Sequence, residues 1–170
     1  MSALAAKLER ETPSVAIIVG KEDLLIREAR DMVLSSAPGG RPDSDQIQTI
    51  SPQSKPDDER LQDIFDDLRT PNLFGGVPVI VLEGADRWLK SGTDAWVDFL
   101  QNPVKDSLLI LISTQLDGRS KLAKSLKSSG WWIGADRPFH RPPPWKPESR
   151  PWDNPLNQWL VHRFRQQKLK

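Results

Sequence analysis

Val15-Ala16-Ile17-Ile18-Val19-Gly20-Lys21-Glu22-Asp23 is the stretch that decides the fold. Val15 to Val19 is a continuous apolar run rich in β-branched residues, the composition of a strand buried on both faces. Gly20 closes the run, and Asp23 is the expected cap of the helix that follows. Leu25, Ala29, Met32 and Val33 then recur at helical spacing until Pro38-Gly39-Gly40 stops them. A doubly buried strand that runs into an amphipathic helix opens a βα unit.

The same alternation continues outward. Gln46 to Ile50 reads as a weak strand suited to a sheet edge, because only Ile47 and Ile50 are apolar. Pro56-Asp57-Asp58-Glu59 is an acidic helix start that suits the helix dipole. Leu61, Ile64, Phe65 and Leu68 give that helix one apolar face. Val77 to Leu82 is a third strand, with Pro78 at its beginning, where a missing donor is tolerated. Trp88, Leu89, Trp96, Phe99 and Leu100 suggest a two-part helix around Ser91-Gly92, with Asp94 restarting it. Ser107 to Ser113 is a fourth, apolar strand. Leu122 and Leu126 mark a short basic helix ended by Gly130, and Trp131-Trp132-Ile133 a fifth strand. The expected fold is α/β: three layers, αβα, around a mostly parallel five-stranded sheet.

Composition changes after Asp136. Seven prolines from Pro138 to Pro155 fit neither helix nor strand. Residues 138–155 are therefore expected to form an extended Pro/Trp-rich connector between an α/β domain, 1–137, and a C-terminal helix, 156–170. Leu156, Trp159, Leu160 and Phe164 carry the period of that helix.

A strand, Gly and Lys invite a phosphate-loop reading. Such a loop needs G-x-x-x-x-G-K-[ST], with glycines to aim amides at phosphate, a lysine for charge and a hydroxyl for Mg²⁺. Here Gly20-Lys21 is followed by Glu22-Asp23, with no earlier glycine in the turn and no hydroxyl. Two carboxylates stand where a triphosphate needs positive charge. A nucleotide hydrolase also tends to carry a carboxylate pair at the end of its third strand, and here Glu83 is followed by Gly84. Ser113-Thr114-Gln115 places polar groups at the carboxyl edge, where such sheets bind ligands. The architecture resembles an ATPase whose chemistry is missing.

The bulk properties narrow the field further. Among 170 residues, 24 Lys and Arg balance 23 Asp and Glu, which argues against a domain held to nucleic acid mainly by its own field. The chain contains no cysteine, which excludes disulfides and thiolate metal sites. His140 and His162 have no ligand-like motif, and no catalytic set, cofactor site or metal site emerges. No apolar run approaches the ~20 residues of a membrane span, and the N-terminus lacks an apolar signal region. A cytoplasmic protein is the expectation. Arg119, Lys121, Lys124 and Lys127, and Arg163, Arg165, Lys168 and Lys170, form two basic groups that suit either a solvated face or phosphate contacts.

One segment resists absorption into the α/β scheme. Thr70-Pro71-Asn72-Leu73-Phe74-Gly75-Gly76 sets two large apolar residues within turn chemistry. Pro71 ends the preceding helix and the glycines permit a sharp exit. The pair Leu73 and Phe74 is either folded into the core or held out for a partner.

In order along the chain, Ile18-Val19-Gly20-Lys21-Glu22-Asp23-Leu24-Leu25-Ile26-Arg27-Glu28-Ala29, then Arg69 to Gly76, Val79 to Ala85, Leu108 to Ser113 and Asp117 to Leu122 resemble the N-terminal domain of the delta subunit of the bacterial DNA polymerase III clamp loader. The likeness spans roughly residues 14–135. It implies an AAA+-like fold without a working nucleotide site, and a non-catalytic subunit that binds and helps open the ring-shaped beta sliding clamp in DNA replication. The family's clamp-contacting apolar pair falls on Leu73 and Phe74, which would enter a hydrophobic pocket on the clamp. Neighbouring loader subunits would hydrolyse ATP, and contact with DNA would be indirect. The alternatives are a divergent nucleotide-binding AAA+ ATPase and a DNA-binding module using the basic helices. The family continues into lid and collar domains, so the chain is expected to be part of a longer protein or a shortened relative. The Pro/Trp-rich stretch departs from the family pattern.

Overall fold

The computed structural model describes residues 2–51, 53–54, 56–71, 76–91, 93–128, 131–136, 150 and 154–166. Leu73, Phe74 and nearly all of the expected connector lie outside the described residues. The chain divides between Ala135 and Asp136 into two units.

The first unit holds α1 (Ser2–Leu8), β1 (Val15–Gly20), α2 (Asp23–Ser35), a 3-10 turn, β2 (Ile47–Ile50), α3 (Asp58–Arg69), β3 (Val79–Glu83), α4 (Ala85–Trp88), α5 (Thr93–Gln101), β4 (Leu108–Ser113), α6 (Lys121–Ser128) and β5 (Trp132–Ala135). The strands form one sheet in the order β2-β3-β4-β1-β5, and every pairing is parallel. Val15 stands beside Leu109, Ile17 beside Trp132, Ile47 beside Val79 and Val79 beside Leu108. β1 and β4 are buried on both faces, which is why they read as continuous apolar runs.

The helices sort to the two faces by the alternation of the strands. Val15, Ile17, Val19, Ile80, Leu82, Leu109 and Leu111 join a core built by α3, α5 and α6. Within it Phe65 stacks on Phe99 at 4.4 Å between centroids and meets the edge of Trp96 at 5.1 Å. Each aromatic pair adds about 0.5–1.5 kcal/mol beyond its burial. The Trp96 indole N–H donates to the Trp88 carbonyl at 2.8 Å, tying α5 to α4. α2 lies against β1, β4 and β5 and buries Leu25, Ala29, Val33 and Leu34, none of which belongs to that core. The three-layer α/β arrangement follows.

Several boundaries differ from those read in the sequence, each for a local reason. α1 carries too little apolar periodicity to be read, and Lys7 Nζ sits 3.8 Å above the ring of Trp131. Gln46 belongs to the 3-10 turn, where its side chain accepts the Asp43 N–H. β3 starts two residues after Val77, beyond Pro78. β5 is shifted to Trp132–Ala135, with the Trp131 carbonyl already accepting from Ile17. Asp23 is the first residue of α2 rather than its cap; Glu22 takes the cap position, and its side chain makes no capping bond. The expectation for α3 holds: the Asp57 carboxylate accepts the Arg60 N–H at 2.8 Å.

In the second unit, α7 spans Pro155–Gln166. It begins one residue before the expected start, because proline suits the first helical position, where no donor is needed. The Asn154 side chain accepts the Leu156 N–H at 2.9 Å. The Arg163 guanidinium lies over the Trp159 ring, and Val161 and Phe164 are exposed.

Candidate functional site

In an open parallel sheet the ligand crevice lies at the carboxyl ends of two adjacent strands whose connections leave in opposite directions. Here those strands are β1, which connects to β2 at one edge, and β4, which connects to β5 at the other. The crevice is therefore framed by the turn Gly20–Asp23 after β1 and by Thr114 and Gln115 after β4. Both sides are engaged by the chain itself.

On the β1 side, Gly20 stands directly beside Ala135 of β5. A Cβ added at Gly20 would lie 2.2 Å from both the carbonyl carbon and the oxygen of Ala135. This glycine answers to the close approach of β5, not to a phosphate. The Glu22 N–H, which a phosphate cradle would aim at its ligand, donates to the Ala135 carbonyl at 3.1 Å. Lys21 and Asp23 are exposed, and Glu22 is half-buried. Gly84, at the end of β3, has φ +65° and turns the chain directly into α4.

On the β4 side the polar residues at the strand end converge on one carboxylate, Asp86 in α4. Its Oδ1 lies 2.8 Å from the Ser113 hydroxyl, 3.2 Å from the Thr114 hydroxyl and 3.0 Å from the Gln115 amide. Its Oδ2 accepts the Thr114 amide at 3.1 Å. Burial raises the affinity of the carboxyl group for its proton. The bonds from the Gln115 amide, the Ser113 hydroxyl and the Thr114 amide outweigh burial and hold the group below its ordinary value. Sequence reasoning named the donors but missed their acceptor, which lies 27 residues upstream of Ser113. The available signal was a strand ending in Ser-Thr-Gln, a row of donors in need of an anion.

Asp86 accordingly links stability to pH. Its proton affinity is lower in the folded chain, so its stabilisation is fully present above the unfolded value, about pH 4. It is lost as the pH falls through the folded value. The stability gap between the wild type and Asp86→Asn, measured by urea unfolding, is expected to be constant from about pH 7 to 5 and to close below about pH 4.

Beside Asp86 a cleft of about 540 Å³ is lined by Leu89, Lys90, Thr93, Leu116, Asp117 and Leu122, among others. Among the described residues, no group of three or more His, Asp and Glu could hold a metal ion. No described helix is long and apolar enough to cross a membrane. Of the basic helix, Lys121, Lys124 and Lys127 are exposed, and Lys127 places its Nζ over the Trp132 ring at 4.9 Å.

The expected partner segment has a firm frame. α3 ends at Arg69, and the Thr70 amide and hydroxyl both donate to the Asp66 carbonyl, at 3.0 and 2.9 Å. Gly76, on the other side, has φ +83°, a backbone conformation that disfavours any side chain. Pro71 follows the end of α3, and Gly76 leads into β3 at the amino edge of the sheet, away from the crevice.

The family model described as DNA polymerase III, delta subunit, matches residues 17–136. No curated protein sequence matches the chain. The fold resembles that of the Bacillus subtilis DNA clamp loader delta protein (YqeN), with a TM-score of 0.64 and 19% identity over 82% of this chain and 43% of that one. It also resembles a DNA polymerase III gamma subunit-related protein from Thermotoga maritima, with a TM-score of 0.56 and 13% identity over 94% of this chain and 56% of that one. The chain thus spans less than two thirds of either structure's length.

Proposed function

Because the chain belongs to the DNA polymerase III delta-subunit family, we propose that it acts as a non-catalytic clamp-loader component that binds the beta sliding clamp through Leu73 and Phe74 and helps to open it. The family match over residues 17–136 carries this reading. The crevice supports it from the other direction, because the Glu22 and Gln115 amides on its two sides already donate to Ala135 and Asp86. The other clamp-loader subunits would be further partners, and any contact with DNA would run through the assembly.

Calorimetric titration of the chain into a beta sliding clamp tests the proposal. Saturable binding without nucleotide is expected; no binding at clamp concentrations of tens of micromolar overturns it. Mg-ATP is expected to leave the affinity unchanged, and Lys21→Ala is expected to behave as the wild type. A Lys21-dependent gain in affinity with Mg-ATP would instead support an ATP-responsive subunit.

A further inference from the structure

We propose that Ser113, Thr114 and Gln115 form an anion cradle whose resident ligand is the chain's own Asp86 carboxylate, and that without this side chain the cradle binds a small free carboxylate. The case rests on how the donors are assembled. Two backbone amides and two hydroxyls meet one carboxylate at 2.8–3.2 Å. The donors come from consecutive residues at the end of an interior strand, so the sheet fixes their directions. Ser113 is 1% exposed and cannot turn to bulk water. Its hydroxyl also lies 2.9 Å from the Gln115 carbonyl. Having one proton, it donates to the charged acceptor, which makes the stronger bond.

Among the described residues no salt bridge involves Asp86, and the charged groups lining the adjoining cleft are Lys90 and Asp117. The carboxylate is held by neutral donors aimed at one point, as in an oxyanion site. Among the described residues Asp86 is the acceptor that these donors share, and it arrives from a different connection, the one after β3. The contact therefore ties α4 to the end of β4 and occupies the place where this sheet edge would hold a free anion.

Chemical rescue tests the assignment. Asp86→Ala is expected to unfold about 5–10 °C below the wild type. Sodium formate, titrated at constant ionic strength against sodium chloride, is expected to recover at least half of that loss in a saturable manner. The wild type, whose cradle is filled, is expected to respond to formate no more than to chloride. Equal shifts in both proteins, or no loss of Tm in Asp86→Ala, overturn the proposal. If Asp86→Ala does not fold, Asp86→Asn decides by hydrogen exchange. The Thr114 and Gln115 amides are then expected to exchange at least about tenfold faster, equivalent to about 1.4 kcal/mol, and unchanged exchange rejects the cradle.

Discussion

Alanine at both Leu73 and Phe74 is expected to weaken binding to a beta sliding clamp by roughly 10²–10⁴-fold. Burying a Leu or Phe side chain is worth about 1.5–3 kcal/mol, so the pair supplies about 3–6 kcal/mol, and each 1.4 kcal/mol is about tenfold in affinity. Two residues then dominate a modest interface, as anchoring side chains do. The frame on either side favours this result. Phe65, Leu68 and their neighbours fix α3 in the core, and Thr70 closes its end. A partner-binding segment hung from such a helix loses less freedom on docking than one hung from a loose loop. The single substitutions are expected to fall between the wild type and the double variant. Calorimetry measures the affinities, and far-ultraviolet circular dichroism confirms that the variant is folded. A folded double variant with wild-type affinity removes Leu73 and Phe74 from the interface.

The second large effect concerns stability. Gly20→Ala is expected to cost about 3 kcal/mol or more, because the new Cβ meets backbone rather than a movable side chain. The pairing of Gly20 with Ala135 must open to admit it, and with it the Glu22 bond to the same carbonyl. For a chain of this size the loss corresponds to a fall in Tm of roughly 6–12 °C. Gly134→Ala is the matched control. It lies in the same neighbouring strand with nothing within 4 Å of an added Cβ, and is expected to change stability by less than about 1 kcal/mol. Thermal unfolding of the two variants distinguishes them. Equal stability would mean that the close approach of β5 has no energetic weight, and would return Gly20 to the status of an ordinary turn residue.

The contrast between the two glycines shows where sequence reasoning stops. The apolar runs of β1 and β4 were legible because burial on both faces leaves no polar positions to blur them. The apolar face of α3 was legible because its period matches a helix. The parallel sheet and the eroded phosphate loop followed from composition and order alone. Gly134 follows the apolar run Trp131 to Ile133, and the edge strand continues through it. In sequence Gly20 only closes an apolar run, whereas its requirement comes from a strand more than a hundred residues away in the chain. Asp86 stayed invisible for the same reason: its four hydrogen-bond contacts lie across a connection that only the folded sheet closes. Local chemistry is written in the sequence at short range; the purpose of a residue that serves a distant neighbour is not.

The strand order has a consequence for the chain as it is made. β1 has β4 and β5 as its only partners in the sheet, and β2 and β3 meet β1 only through β4. A ribosome that has released the first hundred residues has delivered three strands but only one of the sheet's four pairings. The apolar ribbon of Val15 to Val19 waits with both edges open, a template for pairing between nascent chains. Only when Leu108 to Ser113 emerges can the two halves be joined, in a step limited by closure of a long loop. Protection of β1 amides in pulse-labelled refolding should therefore appear together with that of β4, and later than protection of α3.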